Sequence, residues 1–269
     1  MQRFFALLTL LLVLAPSVQA DECDVTSSSV LKDAGDLFAA PFHMDKQAAV
    51  TTLGAGILIG SSMIWLDDDL ARMAAQPNPP APYAYARSLS KVASWYGRNG
   101  KNAFVVLGAV TGAVALGGVI ADDDEVLTTS AIMAESVLFS TGITYVSKIV
   151  TGRARPRTGE GPHKFEWFVS PTRKDHVSFP SGHTSSAFAL AGAAAGRHPN
   201  WYVEVPAYLF AAAAGIQRID ADAHWLSDVL AGGFLGYAIA EFLVDRYECP
   251  EGEEPQPTFE PTISFTVNF

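Results

Sequence analysis

Apolar residues in this chain come in long blocks separated by short charged turns. Residues 48–66 and 103–121 carry no charge and are rich in Gly and Ala. Each is long enough to cross a bilayer, and each would equally pass as a buried helix of a bundle. Between them, Asp67-Asp68-Asp69 and a Pro-rich loop at 77–82 lead into Tyr83 to Tyr96, where apolar, aromatic and basic residues recur at helical spacing. That pattern predicts an amphipathic helix, packed on the bundle or lying at a membrane surface. Upstream, residues 26–48 mix apolar and charged positions as a short amphipathic helix ending near Pro41.

The acidic turn Asp122 to Glu125 opens a predicted helix over 126–150, where it complements the positive end of the helix dipole. Glu135 falls mid-helix. Lipid exposure of that carboxylate would cost ~2.5–3.5 kcal/mol, so it is expected to face the interior or water. A long polar, basic loop follows from 152 to 179, then predicted helices at 181–197, 205–217 and 224–247 joined by short turns. The predicted fold class is all-α, an antiparallel bundle of about six helices with a short β-type tail. That tail alternates Ile263, Phe265, Val267 and Phe269 as one strand, which pairs with a partner's sheet edge or stays unpaired.

The domain reading is 1–20 as signal peptide, 21–47 as amphipathic lead-in, 48–247 as the helical domain and 248–269 as an acidic, Pro-rich tail. Arg3 precedes an apolar run of about a dozen residues, and Val18-Gln19-Ala20 offers a signal-peptidase site. An uncleaved anchor is the alternative. Export points to the periplasm, or to the periplasmic face of a bacterial membrane. There, Cys23 and Cys249 at the two ends of the core can form a disulfide, worth ~5 kcal/mol in the loop-entropy picture. The net charge of −10 argues against nucleic acid as a partner. The loop charges sit against the usual membrane rule: with the site outside, the basic loop 148–174 is external and the acidic turn at Asp122 cytoplasmic. A helical periplasmic domain resting on a membrane by its apolar face is the competing picture.

Candidate chemistry clusters in three places. They are Lys148 with Arg155-Pro156, then Pro180-Ser181-Gly182-His183, then Arg218 with His224 and Asp228. Antiparallel helices would bring all of these to one end of the bundle. Lys148, Arg155 and Arg218 supply positive charge for a phosphoryl group, and backbone N–H groups at Ser181, Gly182 and His183 add donors at a helix start. His224 and Asp228, read as i,i+4 on one helix face, pair so that Asp228 fixes the imidazole and leaves one nitrogen as nucleophile. His183 would serve as acid and then base. This chemistry requires no metal or cofactor.

Lys148 with six residues before Arg155, then Pro180-Ser181-Gly182-His183, then Arg218 with five residues before His224 and three more before Asp228, resembles the three-part signature of the type 2 phosphatidic acid phosphatase (PAP2) superfamily. The likeness spans 148–236. It implies a PAP2/haloperoxidase-like bundle with His224 as nucleophile, Asp228 orienting it, His183 as general acid, and Lys148, Arg155, Ser181, Gly182 and Arg218 binding phosphate. Gln217 stands where the family has Ser, which leaves one phosphate contact open. The implied partner is a phosphorylated lipid, such as phosphatidic acid or a prenyl pyrophosphate, or a small soluble phosphoester, with a membrane nearby. A vanadium haloperoxidase and a non-enzymatic membrane bundle are the other readings. His43, His163, His176 and His198 are expected in exposed loops, and Arg153, Arg157, Arg173 and Lys174 either attract an anionic substrate or are simply solvated.

Overall fold

The computed structural model describes residues 27–248. The expected signal segment, the expected Cys23–Cys249 bridge and the tail read as a strand all lie outside the described residues. Within them the chain folds as helices α1 (Ser27–Ala39), α2 (Lys46–Trp65), α3 (Asp67–Ala74), α4 (Ala81–Ser90), α5 (Ser94–Gly97), α6 (Gly100–Ala121), α7 (Asp124–Thr151), α8 (Gly182–Arg197), α9 (Trp201–Asp220) and α10 (Leu226–Arg246). The all-α expectation holds: among the described residues the only extended pairing is an isolated bridge between Arg153 and Phe165.

Caps set where the long helices begin. Asp45 accepts from Ala48 N at 2.7 Å, Asn99 from Asn102 N at 2.9 Å, and Asp123 from Val126 N at 3.1 Å. Each satisfies an N–H that the first turn leaves without a partner. Gly152 closes α7 at φ 53°, its N–H bonding Lys148 O at 3.1 Å. A Cβ there would lie 1.7 Å from Glu166 O, so only glycine lets the following loop fold back across the helix end.

Helix α8 is the axis of the bundle and packs against α7, α9 and α10. Its sequence is nearly all Gly, Ala and Ser after His183-Thr184, which permits close approach of the neighbouring backbones. Gly232, Gly236 and Ala240 recur every fourth residue on α10 and form the facing stripe. A Cβ at Gly236 would stand 2.1 Å from Ser185 O, and one at Gly232 2.4 Å from Ser181 O. The start of α10 is thereby clamped to the start of α8, and Ser181 N donates to Asp228 O at 2.9 Å.

Four helices, α2, α6, α7 and α10, are long and apolar enough to cross a membrane. The sequence marks α2 and α6 plainly. Helices α7 and α10 are less obvious because half of each faces the bundle and carries polar groups such as Ser136, Ser140 and Glu135. Glu135 is fully buried, as expected. By contrast α2 and α6 cover little of their apolar surface with protein, leaving Val50, Leu53, Ile57, Val105, Leu116 and Val119 exposed. The segment 83–96 takes the packed alternative: α4 lies on α9, and Tyr83 and Tyr96 are buried.

Candidate active site

The expected convergence occurs at the end of the bundle where α7 ends and α8 and α10 begin. His224, however, is not on α10. It sits in the turn before the helix, Trp225 is the N-cap, and Asp228 is the third helical residue. Asp228 Oδ2 accepts from Trp225 N at 3.0 Å and caps its own helix. The pair therefore meets by helix capping rather than along a helix face, with His224 Nδ1 3.5 Å from Asp228 Oδ2.

Ser178, unmarked by sequence reasoning, completes that contact. Its hydroxyl donates to Asp228 Oδ2 at 2.5 Å and lies 3.4 Å from His224 Nδ1, so it can accept the imidazole proton. On the other side of the ring, Arg155 Nη1 faces His224 Nε2 at 3.3 Å. A guanidinium only donates, so Nε2 carries the lone pair and Nδ1 the proton.

Arg153 departs from its expected place. It is fully buried, not lining a loop for substrate. Nη1 donates to Asp228 Oδ1 at 2.6 Å and Ser227 Oγ at 2.7 Å, Nη2 to Asp67 Oδ2 at 2.7 Å, and Nε to Pro162 O at 2.9 Å. Asp67 in turn accepts from Ser227 N at 2.8 Å and Ser227 Oγ at 2.6 Å. The guanidinium lies against the rings of Phe165 and Trp225. One buried cation thus ties α3, the loop after α7 and the start of α10 to the carboxylate that orients His224. Asp67 was visible only as the first of three aspartates; Asp68 and Asp69 pair with Arg72 in the open.

Lys148 Nζ donates to the carbonyls of Val177, Ser178 and Pro180, so it also shapes the loop that presents Ser181. Arg155 is braced by Lys174 O at 2.8 Å and Ala223 O at 2.7 Å. Arg218 Nη1 bonds Gly97 O and Gln217 Oε1, the latter at 3.1 Å, while its Nε has no protein partner. Gln217 is therefore a brace for Arg218. Ser181 is buried; its N–H is taken by Asp228 O and its hydroxyl by Thr184 Oγ1 at 2.8 Å, which removes its N–H from the expected donor set. Gly182 and His183 are the first two residues of α8, where the helix supplies no carbonyl for their N–H groups. His183 Nε2 is buried without a partner, and its ring stands edge-on to Tyr96 at 5.7 Å. Tyr96 also donates to His183 O at 2.7 Å.

Residues 129–247 match the family model of the PAP2 superfamily. The matched segment is less than half of the chain. Over 67 residues it is 43% identical to the lipid A 1-phosphatase of Porphyromonas gingivalis; the match covers 24% of this chain and 15% of that protein. No solved structure matches the chain. The PAP2 segment holds every residue of the signature, whereas Asp67, Tyr96 and Gly97 reach the site from outside it.

Burial and then the guanidinium of Arg218 hold the His183 imidazole down to a pKa of about 3; a backbone contact with Asn99 opposes them, and Lys148 and Arg155 add to the lowering. His224 is likewise held well below the ordinary histidine value by burial, then by Arg155, Lys148 and Arg218. Both rings are neutral at pH 7, in a field that an anion would relieve.

The remaining candidates lie apart. His43 and His163 are exposed as expected. His176 is buried against Glu160 at 3.1 Å, and His198 is half-buried beside Thr129 at 3.3 Å, because each ring is drawn in by a polar partner on the protein. Glu160, Glu166 and His176 bring three ligand-type atoms within 4.8 Å of one another. Arg173 and Lys164 already pair with Glu166, so the group works as an ion-pair clasp on the loop. Arg157 pairs with Asp175 at 2.7 Å, and Lys174 is exposed.

Proposed function

We propose that this chain is a phosphatase acting on phosphomonoesters or pyrophosphates carried by lipids, through a phosphohistidine on His224. The observation that carries the reading is the orientation of His224: its lone pair at Nε2 faces Arg155, and its Nδ1 proton faces Asp228 and Ser178. A phosphoryl group held by Lys148, Arg155, Arg218 and the N–H groups of Gly182 and His183 would meet Nε2 directly.

In the first step, Nε2 bonds to phosphorus and the ester oxygen departs, taking a proton from His183. The substrate's negative charge raises the His183 pKa on binding, so the imidazole can hold that proton. In the second, His183 accepts a proton from water, the resulting hydroxide displaces His224 from phosphorus, and inorganic phosphate leaves. Positioning and charge, with two imidazoles, account for every bond made and broken.

The uncovered apolar faces of α2 and α6 support a membrane setting and a lipid-borne substrate, as does the name of the P. gingivalis relative. The reading places the site at the periplasmic face, following the export segment read from the sequence. Phosphate release by the purified protein, from a lipid phosphate in mixed micelles and from a soluble monoester with EDTA present, tests it. His224→Ala and His183→Ala should each abolish release. Full activity in either would discard the mechanism, and equal rates on the two substrates would discard the lipid preference.

A further inference from the structure

Midway along the loop between α7 and α8 lies an apolar tip that is mostly uncovered by protein. Trp167 and Phe168 are 66% and 77% exposed, and Phe168 adopts φ 59°, a left-handed conformation that bulky side chains rarely hold. The tip is rigidly placed. Phe168 N and Val169 N donate to Val150 O and Ile149 O on the last turn of α7, at 3.0 and 2.9 Å. It thus continues the exposed face of a helix long enough to cross a membrane, one turn beyond exposed Val146. Trp167 stacks on Phe165, and Phe165 lies against the Arg153 guanidinium that grips Asp228.

Other exposed aromatics mark the same level. Trp65 ends α2, two residues before Asp67 of the site network, and Trp95 lies two residues before Gly97, which binds Arg218. At the opposite end, Trp201 and Tyr202 open α9, and Phe38 lies on α1, which docks at Tyr247, with Phe42 in the turn that follows it. Helix α10, 21 residues long, joins the two levels. At 1.5 Å per residue it spans ~31 Å, the thickness of a bilayer's hydrocarbon core. Aromatic residues at two levels separated by that distance are the pattern of two membrane–water interfaces.

We propose that Trp167 and Phe168 insert into the interfacial layer of a lipid bilayer beside the phosphate site, so that a lipid-borne phosphate reaches His224 without leaving the membrane surface. The inference rests on the phosphatase reading for its catalytic consequence, and on the two aromatic levels for the insertion itself. An exposed phenylalanine at φ 59° gains nothing from the protein, and lipid is the surrounding that rewards it.

The test uses the full-length protein with Trp167→Ser and Phe168→Asn combined, asparagine being tolerant of that backbone conformation. KM for long-chain phosphatidic acid in mixed micelles should rise ~10-fold, about 1.4 kcal/mol of lost interfacial contact, while kcat/KM for p-nitrophenyl phosphate stays unchanged. A parallel loss on both substrates, or no change on either, overturns the proposal. A second readout is independent of catalysis. In vesicles of brominated phosphatidylcholine, Trp167→Phe should remove a fluorescence component quenched most strongly by bromines near the head group. If the wild type hydrolyses neither ester, the phosphatase reading fails by itself, and quenching still decides: loss of that component upholds insertion, and its persistence refutes it.

Discussion

Arg153 at the site end of the bundle and Arg246 at the other both reach buried aspartates, and the two clusters behave differently. Arg246 pairs with Asp33 and with Asp36 at 2.9 Å, Tyr247 also bonds Asp33, and the side chain of Arg246 stays partly open. Those contacts fasten α1 to α10 at a distance from the site end. Arg153 is wholly enclosed, and the carboxylate it grips has a second oxygen turned to Ser178 and toward His224. Carboxylates outnumber cations at the far end, with Glu135 near Asp33. Beyond the Arg153 network, the site end gathers Lys148, Arg155 and Arg218 around two neutral imidazoles. A clamp becomes part of a reactive site when a positioned group keeps one contact facing a nucleophile and the local charge favours an anion.

After loss of His224 itself, the largest effect expected is from Arg153→Met. It strands Asp67 and Asp228 without a cation, and removing one partner of a buried pair costs ~3–5 kcal/mol. Denaturant unfolding in detergent should register that loss, and phosphate release per folded molecule should fall as well. Ser178→Ala removes a charge-assisted hydrogen bond worth about 1.5–3 kcal/mol. If the hydroxyl relays orientation to His224, kcat should drop ~10–100-fold with KM little changed; a change in KM alone would exclude the relay.

The depressed His183 sets a pH dependence with a definite sign. Above the unfolded value of about 6.5, His183 is neutral in both states and contributes no difference. As pH falls from there toward the folded value of about 3, the unfolded chain binds a proton that the folded chain refuses, and stability declines by up to ~1.4 kcal/mol per unit. Melting temperature should fall more steeply between pH 6.5 and 5 in the wild type than in His183→Gln, and orthovanadate should flatten the wild-type slope by giving the imidazolium a partner.

At the opposite end, Arg246→Met should cost less, ~1.5–3 kcal/mol, because Asp33 is buried but keeps its hydrogen bond from Tyr247. Phosphate release per folded molecule should not change, and a fall would show that the far cluster is coupled to chemistry. The smallest effect belongs to Gln217→Ser. Arg218 keeps its bond to Gly97 O, so kcat/KM should stay within ~3-fold of wild type, about 0.7 kcal/mol.

The helical order, the two long apolar helices and the signature Lys148, Arg155, Ser181, Gly182, His183, Arg218, His224 and Asp228 were legible in the sequence, whereas the uncovered state of those two helices was not. Apolar blocks, acidic turns and motif spacing are local signals that survive without coordinates. Helix boundaries near the site were not. Asp228 caps α10 with its own side chain, so the helix starts at Leu226 and leaves His224 in the turn, although an unbroken pattern suggested otherwise. Arg153 looked like one more basic loop residue beside Arg155 and Arg157.

What the sequence determined by itself is the set of candidate groups and the antiparallel order that brings them to one end. Only the tertiary structure decided which cations gather around the two imidazoles and which is sealed inside. Asp67 lies 86 residues from Arg153 and 160 from Ser227, and Ser178 lies 50 from Asp228. A buried charge is tolerable only where partners from distant segments surround it at hydrogen-bond distance. Those partners are chosen by how α3, α7, α8 and α10 pack, which in turn depends on glycines that let backbones approach, and no local pattern records that meeting.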